Sequence, residues 1–513
     1  MKLFLPTDLP LDRHLNENPP FKGFSKDKLV YLIHLIVSIP QYRKDIDVID
    51  GFVPLSSKAL QEAITDYKRY LTYGIDSGLF ASDNSYLKGK KCMGYKLLYK
   101  TSGGLKEYTV SDFILKKHYG NHIIKQKKSI RGYEFLERWF SNGLSIDREA
   151  ALAFLKEELE LKTEYSDLRD SKPIYNPFAT ASDGTKGTYE LHYKDPFLQF
   201  QQGNLSLLKM QEQQFSCTIS ENGRFHSVLT NMRSVLRNFL TFNGERLVSI
   251  DVKNSQPYLI SLLLQSHFWR GKNWFKNSEK STFFVSESKK KPRFSAVINL
   301  EDTSATIYNF NSIAIDSLAI SKEVSYFMLL EISNTLVNTS FDTYIENVLK
   351  GGFYETLQEA FKEQLGYTIK DRKEVKSAVF QLLFTPNRFY GQKQAEPKRL
   401  FAQIYPEVYA VLKAIKKEDA TLLPRLLQQI ESHVILKVVA KRMQKLHPKV
   451  PIFTIHDSIV TTASNQLLVE QVMRDAFTTT VGFSPTLATE FLDPDKAARY
   501  LQKLRAKAQQ LSA

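Results

Sequence analysis

The chain has 513 residues, enough for two to four domains and an ample core. Its 70 Lys and Arg against 55 Asp and Glu give a net charge of +15, which favours a polyanionic partner, nucleic acid being the commonest. Two cysteines, Cys92 and Cys217, exclude a disulfide framework and a cysteine-rich zinc site. No uncharged apolar run reaches the roughly 18 residues of a membrane span, and no signal peptide opens the chain, so a cytoplasmic protein without membrane contact is expected.

Residues 1–25 are Pro-rich and polar and read as an irregular leader. Residues 26–105 contain three helical patterns, the second capped by Ser56 and the third ending near Gly78, then two strand-like runs around a KGKK turn. Three helices and a hairpin resemble a winged helix-turn-helix domain. In that reading Lys68 and Arg69 on the third helix and Lys88, Lys90 and Lys91 on the wing contact phosphate rather than read bases. Residues 106–200 read as a helical linker or thumb-like region. Its KKHYGNHIIKQKK run is a solvated basic stretch, DREAALAFLKEELELKTEY an amphipathic helix, and SKPIYNPFATASDGTKGTYE a turn-rich connection.

The stretch LVSIDVKNSQPYLISLLLQ, residues 247–265, organises the rest. Leu247 to Ile250 reads as a buried strand ending on Asp251, with Ser255 as N-cap and Pro257 in the first turn of a helix. PIFTIHDSIVTT, residues 451–462, reads as strand, tight turn, strand, with His456, Asp457 and Ser458 at the tip. Two acids so held can share two Mg²⁺ ions about 3.5–4 Å apart, the arrangement used for in-line phosphoryl displacement. In DRKEVKSAVFQLLF, residues 371–384, the residues Arg372, Lys376, Phe380 and Phe384 recur every fourth position, a stripe of two cations and two rings on a helix.

In this order the three segments resemble the family A DNA polymerases and the single-subunit RNA polymerases, which carry an Asp after a strand, an Arg-x3-Lys-x3-Phe-x3-Tyr helix and a His-Asp hairpin. ENGRFHS (221–227), FAQIYPEVYAVL (401–412) and QIESHVILK (429–437) extend the resemblance. It implies an α+β fold, a right-hand polymerase core of palm and fingers over residues 201–498, with an insertion over 266–345 and a basic tail over 499–513. It also implies roles. Asp251, Asp457 and the Val252 carbonyl hold two Mg²⁺ ions, with Mn²⁺ as an alternative. Arg372 and Lys376 clamp the triphosphate, and Lys376 protonates the leaving pyrophosphate. Phe380, Phe384 and Gln256 border the nucleotide; an ungapped match puts Gln256 where the family has its sugar-excluding Glu, and a shifted match puts nothing there. Arg224, Gln429 and His456 contact primer and template. Phe380 and Phe384, both without a hydroxyl, favour deoxynucleotides.

The expected activity is primer extension by a DNA-dependent DNA polymerase, as in the replication protein of a plasmid, phage or mobile element. A single-subunit RNA polymerase or primase, with RNA as partner, and a non-catalytic replication initiator are the alternatives. No paired-acid exonuclease signature precedes residue 200 and no GxxxxGK[ST] loop is present, so neither proofreading nor an attached motor is expected.

Overall fold

The computed structural model describes residues 1–42, 46–87, 91–99, 103–180, 186–269, 313–337, 339–368, 371–392 and 395–512, with the side chains of 175–189 and 364–365 left aside. Lys88 and Lys90 lie outside the described residues, as does most of the expected insertion.

Two hydrophobic cores organise the chain. The first belongs to the N-terminal lobe. There the helices Lys26–Tyr42, Ser57–Ala63 and Tyr67–Asp76 pack against a three-stranded antiparallel sheet in which Gly94–Leu97 lies between Val53–Pro54 and Phe80–Ser82. Ser56 caps the second helix by accepting from the Ala59 N–H at 3.4 Å, as its sequence position demands. The first residues are not irregular. Lys2–Pro6 pairs with Leu105–Thr109, because Leu3, Phe4 and Leu5 bring enough apolar surface to be drawn into the lobe.

Asp27 locks this arrangement. It is 5 % exposed and accepts from the Tyr108 hydroxyl, the Ser111 N–H and hydroxyl, and the Asp112 N–H at 2.5–2.7 Å. Burial raises its pKa, and these hydrogen bonds more than offset that, leaving the carboxyl below its ordinary value. Asp27→Ala should cost roughly 1.5–3 kcal/mol, read as a lowered urea midpoint, because two amides and two hydroxyls lose the buried carboxylate they share as acceptor. An unchanged midpoint would show the cluster to be energetically idle.

The helix Pro196–Gln211 joins the two cores: Leu205 enters the first, Leu207 and Met210 the second. Ahead of it, Ser171–Thr180 and Lys186–Tyr193 pair as a long antiparallel hairpin where a turn-rich connection was expected. Pro173, Pro177 and Gly187, which suggested turns, lie within the two strands, and the pairing shifts register between Asn176 and Thr180.

The second core surrounds an antiparallel sheet. Its central strand, Glu245–Val252, is flanked by Ser458–Thr462 on one side and Leu487–Phe491 on the other. Leu247, Val248, Ile250 and Val252 are all buried, so this strand is covered on both faces. Helices pack around it, and Gln466–Val481 touches it directly. The helix Ser255–Leu263, which follows the strand, begins one residue earlier than the sequence suggests. Asn254, not Ser255, stands at the cap in a left-handed conformation (φ 53°), which Asn tolerates, and its amide donates to the Gly351 carbonyl. Residues 313–345 of the expected insertion are integral to the core, with Ile315, Ile320, Ile332 and Tyr344 buried. The tail also packs. Pro494–Ser512 is a helix that buries Leu501, Leu504 and Ala508 against the Arg148–Glu164 helix. No helix among the described residues is long and apolar enough to cross a membrane.

Candidate active site

Asp251 and Asp457 meet because their strands are neighbours. The ladder pairs Asp251 with Ser458, so the residue just before Ser458 stands beside Asp251 at the end of the sheet. Ile455 and Ser458 close the two-residue loop as a cross-strand pair, and the Ser458 hydroxyl donates back to the Ile455 carbonyl at 2.8 Å. His456 occupies this loop at φ 56°, a left-handed conformation costing roughly 1–2 kcal/mol. Strain held at a loop tip fits a site that needs the Asp457 side chain aimed in one direction.

The electrostatics show the convergence. Burial pushes the Asp251 carboxyl up to about 7, and the Asp457 carboxylate adds to the rise; the Val252 N–H and the Lys376 ammonium oppose it. The Asp251 Oδ1 is buried and has no hydrogen-bond partner. Like charges gathered with an acceptor left unmatched leave a place for a cation. Among the described residues no group of three or more His, Cys, Asp or Glu is arranged to hold a metal. Two carboxylates, Asp251 and Asp457, are then the side chains available to a cation here. This fits Mg²⁺, which takes one or two carboxylates and fills its remaining positions with water and substrate phosphate.

The helix Arg372–Phe384 faces this pair. Asp371 caps it by accepting from the Glu374 N–H at 2.8 Å. Val375, Ala378, Val379, Leu382 and Leu383 are buried; beside that face Arg372, Lys376 and Phe384 are exposed, while Phe380 is half-buried against the core. The helix is anchored at its far end, where the buried Lys416 ammonium donates to the Leu382 and Thr385 carbonyls. Lys376 acts on Asp251 and stands 5.5 Å over the Phe380 ring, and the Phe380 and Phe384 rings are 5.7 Å apart, edge to face. Arg372 binds Glu355 at 2.7 Å and lies 5.0 Å over the Tyr354 ring. Burial, first, and the charges of Arg372, Glu355 and Asp457 set the Tyr354 hydroxyl, which is pushed up to about 12. Tyr354 therefore links the Arg372 end of the helix to Asp457.

A third carboxylate was not foreseen. Glu431 is 2 % exposed and lies close enough to Asp457 to feel its charge. Burial pushes it up to about 7 against the pull of Arg224. The Arg224 guanidinium donates to its Oε1 at 3.1 and 2.7 Å, and the Gln256 amide donates to its Oε2 at 3.0 Å. Arg224 and Gln256 thus converge on one acid. The signal was a lone acid within the apolar QIESHVIL run, on a helix that widens to a π-helical turn from His433. Gln429 points elsewhere and accepts from the Ile320 N–H at 3.1 Å. Its neighbour Gln428 accepts from Asn222 at 3.1 Å, beside Arg224.

The remaining nucleic-acid candidates sit in the N-terminal lobe. Lys68 and Arg69 are exposed on the Tyr67–Asp76 helix, with Arg69 4.2 Å over the Phe21 ring, and Lys91 pairs with Asp83 at 3.1 Å.

No family model matches this chain, and no curated protein matches its sequence. Among solved structures it is similar to the POL domain of Pol1 from M. smegmatis in complex with DNA primer-template and dNTP, at 10% identity and a TM-score of 0.28, covering 75% of this chain and 74% of that one. A likeness of that strength bears on neither fold nor activity; the functional reading rests on the residues above.

Proposed function

We infer that the chain is a nucleotidyltransferase extending a primer 3′-hydroxyl on a DNA template with deoxynucleoside triphosphates, a family A-like polymerase of palm and fingers. The observation that carries this reading is the meeting of Asp251 and Asp457 at one sheet end, with Lys376 on a facing helix. Asp251, Asp457 and the Val252 carbonyl would hold Mg²⁺ or Mn²⁺, which supplies neutralisation of the phosphates and a more acidic 3′-hydroxyl when bound. Lys376 offers a point charge to the triphosphate and a proton to departing pyrophosphate, and Arg372 offers a planar fork. Phe380 and Phe384 present ring faces to the sugar and base. Glu431 fixes the Arg224 and Gln256 heads, so that neither swings across the nucleotide. His456, which stands at the loop tip, would contact the primer terminus.

In the N-terminal lobe, the order helix, strand, helix, helix, strand, strand, with the last strand central, supports the winged-helix reading. Lys68, Arg69 and Lys91 there would meet duplex phosphates. Such a lobe suits origin or primer-junction recognition in the replication protein of a plasmid, phage or mobile element.

The test is extension of a labelled primer–template with dNTPs or NTPs, with and without primer, in Mg²⁺ and then in excess chelator. Primer-dependent, Mg²⁺-dependent dNTP incorporation is expected. Incorporation of NTPs alone without primer would instead make the protein an RNA polymerase or primase. No incorporation under any condition would leave a non-catalytic initiator.

A further inference from the structure

The basic helix Phe113–Ser129 is turned the wrong way for a structural element. It carries Lys116, Lys117, Lys125, Lys127 and Lys128, two histidines and no acid, and buries only Leu115. It touches the Ser57–Ala63 helix and the Thr218–Ile219 strand, yet one face stays open. His118, Asn121, His122, Lys125 and Lys128, spaced at helical intervals, line with Ile124 a cavity of about 1290 Å³ between this helix, the N-terminal lobe and the strands Ser171–Thr180 and Lys186–Tyr193. The opposite wall is apolar and aromatic: Tyr31, Leu35, Ile39, Leu55 and Leu60. Lys125 and Lys128 make no ion pair among the described residues. Of the three acids around the rim, Asp47 is taken by Lys172 at 2.6 Å, Glu190 lies 3.7 Å from His192, and Glu62 is exposed on the Ser57–Ala63 helix.

One wall offers cations and rings, the other an apolar surface. A ligand filling both must carry anionic charge along one edge and flat apolar faces along the other. A single-stranded nucleic acid does this, with phosphates on the lysines and bases against Tyr31 and its neighbours. A duplex does not, since its base faces are stacked away. The volume exceeds the roughly 300–1,000 Å³ of a small-molecule pocket, in keeping with a strand rather than one nucleotide. A membrane surface would need one coherent apolar stripe. The exposed Phe113, Ile114, Tyr119 and Ile124 fall on no single stripe; the coherent face is the cationic one.

We propose that this cavity is a second nucleic-acid site, separate from the Asp251–Asp457 cleft, which takes a single strand between the Phe113–Ser129 helix and the N-terminal lobe. The proposal stands whether or not the cleft turns over nucleotides.

The experiment uses the full chain and fluorescein-labelled oligo(dT), followed by anisotropy across about 50 to 200 mM salt. Lys125→Ala/Lys128→Ala should weaken binding about tenfold or more at the low-salt end and reduce the salt slope by about 1.4, the share of two phosphate contacts on a single strand. Lys116→Ala/Lys127→Ala removes the same charge outside the cavity and should leave the slope nearly unchanged. Oligonucleotides bearing 4-thiothymidine should cross-link to peptides containing Tyr31 or His122. Equal effects of the two lysine pairs, or cross-links confined to the Asp251 cleft, would overturn the proposal. So would duplex binding as tight as strand binding, or capture of phosphatidylserine vesicles without oligonucleotide affinity.

Discussion

Asp457→Asn is expected to reduce primer extension at least about a thousandfold, the loss of several kcal/mol of transition-state charge stabilisation. The substitution keeps the shape of the side chain and removes its charge. Asp457 sits on a two-residue loop whose geometry is set by backbone pairing and by the Ser458–Ile455 hydrogen bond, so folding should be unaffected. Asp251→Asn should be as inactive, yet no less stable. In the native protein a buried carboxylate faces Asp457 and Glu431, with one oxygen unmatched. An amide relieves the like-charge repulsion, accepts from the Val252 N–H and can donate toward Asp457. Activity and stability therefore move apart, which is how a charge kept for chemistry differs from one kept for structure. Thermal melts and single-turnover extension of both variants make the comparison. Wild-type extension by either variant would remove the catalytic reading.

Glu158→Ala should have the opposite signature, a loss of about 3–5 kcal/mol in stability measured by urea unfolding. Glu158 is 3 % exposed and is the hub of a buried network. The Arg233 guanidinium donates to both its oxygens at 2.6 and 2.7 Å, Lys162 donates at 2.9 Å, and the Tyr500 hydroxyl at 3.0 Å. The network ties the Arg148–Glu164 helix to the segment before the Glu245–Val252 strand and to the C-terminal helix. Truncating the hub leaves the Arg233 charge without its acceptor, while Lys162 keeps Asp170 at 2.9 Å. Glu158→Leu combined with Arg233→Met should recover much of the loss, since an apolar pair needs no desolvation of charge. Burial raises the Glu158 pKa, and Arg233 and Lys162 more than offset this, so the folded value lies below the ordinary 4.5. The native state thus binds the proton less readily than the unfolded chain. The stabilisation is complete above pH 4.5 and is lost as pH falls below it. A urea midpoint falling more steeply below that pH in the wild type than in the Leu/Met double variant would bear this out. Identical pH profiles would remove Glu158 as the cause.

Much of the site was legible before any coordinates. Strand ends, caps and helix faces are local properties. Ile250–Asp251, the Ile455–Ser458 loop and the Arg372–Phe384 helix each declare themselves through apolar periodicity and a polar break. The four-residue stripe on that helix also follows from its own spacing, and the structure leaves Arg372, Lys376 and Phe384 exposed with Phe380 half-buried. Even the wrong expectations were local in origin. The leader looked irregular because a short edge strand, Lys2–Pro6, becomes stable only when Leu105–Thr109 completes its hydrogen bonds.

What the sequence determined alone is which residues stand at the ends and on the faces of each element. Which of these meet was decided by the fold. Antiparallel pairing of Glu245–Val252 with Ser458–Thr462 sets Asp457 beside Asp251 across more than 200 positions. Helix packing turns Glu431 toward Arg224 and Gln256 while sending Gln429 to Ile320. The basic face of Phe113–Ser129 likewise becomes a cavity wall only because the N-terminal lobe stands across from it. The physical reason is the reach of the forces. Backbone preference and side-chain periodicity act over a few residues, whereas charge coupling and desolvation act between groups that only packing brings close.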